Sequence, residues 1–487
     1  MKKHTVLIAA LCLLGIGTVK AQYNETNNLF YHSFRTPQSH MLNPALFPNN
    51  NSFYLHLPGF GVHFGSPLAI NDIVRLDTSG DTTTVIDVNK MLDAVSREND
   101  FRFGTEFNFF GMGLKIGRTF ASMNVRMMNN INVGLPIATI NALRYGNVDA
   151  NGNPINEVSL FDGDLLNSTN YLEISVAGGH TIEPLGLTVG ARAKLLYGIA
   201  NLQTDNTYAV LRTDDEFESI GVDIYYEIQG ASAVAVDSNG VRLTSIGELL
   251  DIFHANTGLS FDIGARYDMG PFSFSASIND LSAGIHWRRN VNTITPEGGH
   301  AVVNFDGQEV TGLLNGGNLN ADSLTAYYQQ VLNGLTPTND TTANYWYGIP
   351  TKLNLGASYS FAKFFRAGLL FHGQFDRGLL TKHNKYAVEL GNGVSNTFRF
   401  NTTLSFGVNL FNWLEVLAGS SIIYDGTKMD LFNPGIGLVM TPFTVMQIHL
   451  MADYISSIYL ADSKAFNVKF GLSLLFGNGG KFKIQQD

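Results

Sequence analysis

The stretch Phe398-Arg399-Phe400-Asn401-Thr402-Thr403-Leu404-Ser405-Phe406-Gly407-Val408-Asn409-Leu410 decides the fold. Phe398, Phe400, Leu404, Phe406, Val408 and Leu410 share one parity, and Arg399, Asn401, Thr403, Ser405 and Asn409 share the other. Successive side chains of a β-strand point to opposite faces, so this is a strand with one apolar and one polar side. The pattern recurs downstream. Phe466, Val468, Phe470, Leu472, Leu474 and Phe476 alternate with Asn467, Lys469 and Ser473, and Met446, Ile448, Leu450 and Tyr454 are set against Gln447, His449 and Asp453. A soluble sandwich has the same period, because its strands also divide a core from solvent. The apolar set separates the two: across most strands it is dominated by Phe, Leu and Tyr, as a lipid-facing wall requires. The expectation is an all-β chain, a 14-stranded antiparallel transmembrane β-barrel with hydrocarbon outside and a wet lumen within.

Working outward, strands are read at 52–64, 101–116, 119–128, 171–181, 187–202, 258–268, 272–279, 352–361, 366–375, 398–410, 414–424, 434–441, 444–454 and 465–476. Six connections are tight, around Gly117-Arg118, Glu183-Pro184-Leu185-Gly186, Met269-Gly270-Pro271, Ala362-Lys363-Phe364, Phe411-Asn412-Trp413 and Thr441-Pro442-Phe443. The other seven are longer and alternate strictly with them. In such barrels short turns face the periplasm and long loops face outward, so an even strand count leaves both termini periplasmic. The first and last connections are both long, as that parity demands. Within the long loops, Val85, Val88, Leu92 and Val95 have helical spacing from near Asp87, as do residues 246–253 and the set Leu324, Tyr327, Tyr328, Val331 and Leu332. A hairpin is read around Ile220 to Val236. Loops of this length must bury their own apolar residues, which accounts for the helical faces without a ligand; capping the barrel mouth or collecting an apolar molecule is the other reading.

Lys2 and Lys3 precede an apolar run from Val6 to Ile16, and Val19-Lys20-Ala21 ends in the small residue a signal peptidase requires. Residues 1–21 are therefore read as a secretory signal peptide, residues 22–51 as a periplasmic or lumenal leader, 52–476 as the barrel and 477–487 as a periplasmic tail. Leu11 before Cys12, the only cysteine, is a poor fit to a lipoprotein signal, so the mature chain has no thiol for disulfide, metal or nucleophilic chemistry. Loss of Lys2, Lys3 and Lys20 takes the formal charge from −10 to −13, which speaks against a nucleic-acid partner. Beyond the signal no apolar run approaches the roughly 18 residues of a spanning helix, so any crossing is by strands. No cofactor is expected and no metal site. Asp149, Asn151, Gly152 and Asn153 begin like a calcium loop, but Leu160 stands where its last ligand belongs, and turn chemistry accounts for them.

The leader contains Met41-Leu42-Asn43-Pro44-Ala45-Leu46-Phe47-Pro48, too rich in Asn and Pro for a regular element and placed to tuck into the lumen as a plug. Asn43-Pro44-Ala45 shortly after a signal, followed by fourteen strands, resembles the FadL/PorV-like long-chain fatty-acid transporter superfamily. The phrase Leu42-Asn43-Pro44-Ala45 with Leu57-Pro58-Gly59 after it is closer still to an uncharacterised, domain-of-unknown-function family of Bacteroidota outer-membrane barrels. The resemblance implies fold, an outer-membrane location and a hatch formed by Asn43, Pro44 and Ala45; no pocket residue of the transporters has a position to match.

Lumen-facing ionisable residues by parity are Glu173, Arg192, Lys194, Asp262, Arg266, Arg366, His372, Arg399, Glu415, His449, Asp453 and Lys469. Mixed charges inside a barrel form cross-strand pairs or line a wet channel; the sharper reading is that they fix the plug or select a solute. Catalytic residues are not expected, since a barrel lipase needs Ser, His and an orienting group facing lipid, and the wall histidines His372 and His449 have the inward parity. Two functions of different class remain open. One is a plugged channel for hydrophobic or amphipathic molecules, in contact with outer-membrane lipid. The other is a non-transporting barrel that docks a secreted protein in secretion or surface assembly.

Overall fold

The structure, a computed structural model, describes residues 28–33, 36–47, 52–66, 68–69, 71, 74–77, 83–86, 100–134, 156–162, 165–213, 219–233, 236–237, 240–241, 253–296, 301–306, 337–340, 344–362, 364–375, 398–411, 413–424, 429–443, 445–455 and 464–477. Fourteen strands close into one antiparallel ring. They are β1 (Phe53–His56 and Gly59–Gly65, interrupted at Leu57-Pro58), β2 (Asp100–Ile116), β3 (Thr119–Gly134), β4 (Leu166–Ile182), β5 (Leu187–Thr213), β6 (Thr257–Met269) and β7 (Phe272–Trp287). The second half comprises β8 (Thr351–Ala362), β9 (Phe365–Phe375), β10 (Phe398–Leu410), β11 (Leu414–Tyr424), β12 (Met429–Met440), β13 (Met446–Asp453) and β14 (Ala465–Phe476). Each strand pairs with the next, and β14 returns to β1 with Phe476 opposite Phe53 and Phe470 opposite Phe60. Closure leaves the ring no free edge strand, since each of the fourteen is hydrogen-bonded to a neighbour on both sides.

The alternation read from the sequence becomes an outside and an inside. On β10, Leu404 and Phe406 are exposed while Asn401, Thr403 and Ser405 are buried toward the axis, and β14 divides Phe470 and Phe476 from Asn467, Lys469 and Ser473 in the same way. Where a bulge adds a residue, the parity shifts with it: between Asn108 and Phe110 of β2 the register slips by one, so Phe109 and Phe110 both face outward. Of the six tight connections, those at Gly117-Arg118 and Gly270-Pro271 are turns and Glu183–Leu185 is a 3-10 turn closed by Gly186. Gly117, Gly186 and Gly270 take φ of 59°, 62° and 58° there, the left-handed region that glycine enters without a steric penalty.

Five strands run beyond the ends that hydrophobic alternation marks. β3 continues to Gly134, β4 begins at Leu166, β5 continues to Thr213, β7 continues to Trp287 and β12 begins at Met429. Alternation stops where lipid no longer touches the wall, but the backbone ladder has no reason to stop there. The overhang of β5 pairs with the strand Ser219–Ser232, which in turn pairs with Asn292–Pro296 and Ala301–Asp306. Ser219–Ser232 is thus one continuous strand that forms a hairpin with the end of β5, Ile220 opposite Thr213, rather than a hairpin closed within residues 220–236. Val85 lies in the strand Thr83–Ile86, paired with Val74–Asp77, and not in a helix. Residues 253–255 are helical, whereas Val88, Leu92 and Val95, the set Leu324 to Leu332 and the Asp149 turn lie outside the described residues.

One side chain faces the other way from its reading. Tyr454 follows β13 with φ of 63°, and this left-handed turn swings its ring into the lumen, where it is buried. Parity fails because the strand ends at Asp453.

The division into two faces makes a direct prediction. Leu404→Arg, on the exposed face, should cost about 2–4 kcal/mol in reversible unfolding from lipid vesicles if it lies near the bilayer midplane, whereas Thr402→Val on the same face should leave stability unchanged or raised.

Candidate functional site in the barrel lumen

Within the ring lies the N-terminal segment, a 3-10 turn at Asn28–His32 followed by a single helical turn, α1 (Ser39–Leu42). Its described residues from Asn28 to Phe47 are buried, apart from half-buried Leu42. Such short helical pieces leave most of their backbone groups without internal partners. The wall supplies them. Arg192 of β5 donates to the Met41 carbonyl at 2.9 Å and also to that of His40. The Leu42 carbonyl accepts from Ser277 Oγ (2.9 Å) and Asn279 Nδ2 (2.7 Å) of β7 and from Asn354 Nδ2 (3.0 Å) of β8. Arg366 of β9 donates to the His32 carbonyl at 2.7 Å, and Ser33 Oγ donates to Glu415 of β11 at 3.0 Å.

At Asn43-Pro44-Ala45 the chain reverses. Asn43 Oδ1 accepts the Ala45 backbone N–H at 2.9 Å, a side-chain mimic of a turn, and its Nδ2 donates to the Tyr31 hydroxyl at 3.1 Å and the Ala276 carbonyl at 3.3 Å. Pro44 has no N–H to satisfy and presents its carbonyl to the wall at Gly190. Asn28, at the other end, lies within hydrogen-bond distance of Asn401, Thr403 and Tyr454.

A belt of alternating charge runs along the inner wall from β14 past β2 to β8. Lys469 Nζ of β14 meets Glu106 of β2 at 2.8 Å, Arg126 of β3 stands 3.6 Å from Glu106, and its Nη2 reaches Glu173 of β4 at 2.7 Å. On β5, Arg192 pairs with Asp262 of β6 at 3.0 Å, and Lys194 bridges Asp262 and Asp280 of β7, each at 2.7 Å. Lys352 of β8 completes the arc, 3.5 Å from Asp280. Arg192 therefore belongs to both systems, binding the belt to two successive carbonyls of α1. On the long-loop side of the belt the lumen turns apolar: Tyr171, Leu196, Ile285 and Trp287 form a buried cluster with Ala231, Ala283, Val291 and Ile349.

The residues singled out by parity fall into several groups. Arg192, Lys194 and Asp262 come together, Lys469 joins the belt through Glu106, and Arg366 faces Glu415 at 3.8 Å. His372 Nδ1 lies 2.6 Å from Asn354 Oδ1, His449 contacts Gln38 and the edge of Phe30, and Asp453 receives backbone N–H groups of Asn28 and Leu29. Arg266 stands apart near a tight turn, donating to Asp268 and Ser273, and the side chain of Arg399 lies outside the described residues. Glu106 and Arg126 escaped the initial reading although both have the polar parity of their strands. Asp280 carried no such signal. It lies beyond the alternating part of β7, with φ of 60° beside register shifts in the β6–β7 pairing. Wall histidines also number more than two: His56 is buried beside Gln38, and His180 faces outward next to Thr119.

Burial pushes the His32 imidazole down to about 3, with the Arg366 charge adding to the effect, and burial followed by Arg192 holds that of His40 well below its ordinary value. His40 is seated as a neutral ring, its Nδ1–H donating to the Pro37 carbonyl and Nε2 accepting from Asn124 at 3.3 Å. Once released, both rings return to about 6.5 and take up protons that the seated segment refuses. The seat is therefore at full strength above pH 6.5 and weakens as pH falls from there toward 3. Amide exchange of the segment should be unchanged between pH 8 and 7, after correction for intrinsic rates, and measurably faster at pH 5. Asp262→Ala, which takes the carboxylate from buried Arg192 and leaves Lys194 with Asp280 alone, should lower barrel stability by about 3–5 kcal/mol in denaturant unfolding.

A protein-family model described as a family of unknown function, DUF5723, matches residues 44–453. No curated protein matches the sequence. Among solved structures the chain is similar to the toluene transporter TodX of Pseudomonas putida, at 9% identity and a TM-score of 0.40 over 93% of this chain and 94% of that one. It is similar also to the CymD monoaromatic hydrocarbon channel, at 10% identity and 0.38 over 91% and 93%, and to the translocator domain of the autotransporter NalP of Neisseria meningitidis, at 8% and 0.31 over 88% and 90%. Likenesses at this level concern the path of the chain and carry nothing about cargo.

Proposed function

The chain belongs to the DUF5723 family, a family of unknown function, and we propose that it is an outer-membrane channel, closed along its axis by its own N-terminal segment, that passes hydrophobic or amphipathic molecules. In this reading residues 1–21 are removed on export, both termini lie in the periplasm, and the long loops and the β5 overhang face the cell exterior. The observation that carries it is the buried cluster of Tyr171, Leu196, Ile285 and Trp287 on the long-loop side of the charge belt. A general diffusion pore has a wet, open lumen, and a mere anchor has no use for aromatic surface in its interior. A packed apolar cluster above a charged floor is the part of the lumen that suits a cargo leaving water on entering. Asn43, Pro44 and Ala45 are assigned to the seal.

A second reading, a barrel that docks a partner in secretion or surface assembly, is favoured by the sheet that Ser219–Ser232 and Asn292–Pro296 build onto β5. Photo-crosslinking from Tyr345, beside that sheet, separates the two: a trapped protein supports docking, lipid alone supports the channel.

The channel is tested in cells whose lipopolysaccharide leaflet excludes N-phenylnaphthylamine. Expression of the protein should speed dye entry several-fold, and Trp287→Asp should return it to background while the barrel stays folded; equal rates with and without the protein would sink the proposal. In planar bilayers, deletion of residues 22–45 should produce ion conductance that the intact chain lacks.

A further inference from the structure

The wall is shaped to the N-terminal segment at more places than its hydrogen bonds mark. A Cβ built on Gly190 would stand 2.3 Å from the Pro44 carbonyl oxygen, and one on Gly264 would stand 2.1 Å from Asn43 Oδ1. The same holds at Gly179 against the Phe47 ring (1.8 Å), Gly356 against Tyr31 (2.4 Å), Gly368 against His32 (2.6 Å) and Gly419 against Leu29 (2.7 Å). These six glycines sit on six strands, β4, β5, β6, β8, β9 and β11, and the segment residues they admit run from Leu29 to Phe47. Glycine weakens a strand interior and marks the close approach of another backbone or group. Here it does so on six of the fourteen strands toward one occupant, while other glycines of the wall, Gly104, Gly111 and Gly471 among them, make room for wall side chains instead.

The polar contacts have the same reach. Donors and acceptors from β5, β7, β8, β9, β10 and β11 meet the segment, and Arg192, buried among them, would lose both its α1 carbonyls if the segment left. A plug that slides out during each passage needs a wall able to stand without it. This wall has recesses that only the seated segment fills.

We infer that residues 28–33 and 36–47 are a permanent part of the lumen: the barrel is closed around them, they remain seated while cargo passes, and the axial path never opens to ions. This rests on the channel reading only for the transport arm of its test. The first arm needs no cargo. In the full mature chain in lipid nanodiscs at pH 7.5, the amides of Met41, Asn43 and Leu46, bonded to Gln38, Ser39 and Asn43 carbonyls, should exchange within about tenfold of amides in β5, as expected for one cooperative unit. Exchange about a thousandfold faster than β5 overturns the inference.

The second arm ties the segment down. A Cβ on Gly435 of β12 would lie 3.1 Å from Leu29 Cδ1 and 2.6 Å from Asp453 Oδ1, so Leu29→Cys with Gly435→Cys, once the Asp453 side chain turns aside, puts one thiol on each side of the contact between segment and wall in a chain whose only native cysteine is Cys12. Dye entry should be the same for the oxidised and reduced double variant. A rate that falls at least about fivefold on oxidation and recovers on reduction overturns the inference. Absence of dye entry in every form, wild type included, counts against the channel reading and leaves the exchange measurement to decide this one.

Discussion

The pairing of β14 with β1 is the contact on which the rest depends. A strand wall facing hydrocarbon cannot leave backbone N–H and C=O groups without partners, and only a closed ring supplies them all. Once Phe53 lies opposite Phe476 and Phe60 opposite Phe470, every other strand has two neighbours and a fixed inner face. The break at Leu57-Pro58 is tolerated because His56 and Gly59 still meet Ser473 and the β14 backbone in phase, the extra residue being absorbed as a bulge. Closure makes the interior a finite space, and that space has to be filled.

The filling is unusual in its chemistry. A soluble core would use Leu and Ile. Here the inner wall presents Asn, Ser, Arg and Asp beside apolar patches such as Leu417, Val439 and Met451, which pack on Leu29 and Phe30, so the occupant must match both and be irregular enough to reach them all. A segment rich in Asn, Ser, His and Pro, with one helical turn and one 3-10 turn, meets both demands, because its own unsatisfied backbone groups are the partners the wall lacks. Arg192 shows the economy of the arrangement: one guanidinium neutralises Asp262 and caps two carbonyls at the end of α1. Charge and plug are thus one network, which ties the state of the floor to the ion pairs of β5, β6 and β7.

Parity was a sufficient guide wherever lipid touches the wall, as on β10 and β14, because a misplaced Phe or Arg there is costly. It weakened where that cost vanishes. The overhangs of β3, β5 and β7 follow the ladder rather than the alternation, Tyr454 turns inward at a left-handed residue after its strand has ended, and Asp280 reaches the belt through a distorted stretch of β7. Glu106 and Arg126 were legible in principle and were passed over, since a lone charge on a polar face says nothing of its partner until register sets Lys469 and Glu173 beside them.

By itself, then, the sequence determined the strand count, the side of each strand that meets lipid and the alternation of tight and long connections, because all three follow from local periodicity and turn chemistry. Tertiary structure alone decided which charges pair, that Ser219–Ser232 is flanked on its other side by Ala301–Asp306 and Asn292–Pro296, and that six wall glycines face one segment. Those outcomes depend on strand stagger and on how the ring closes around its contents, distances that no window of neighbouring residues encodes.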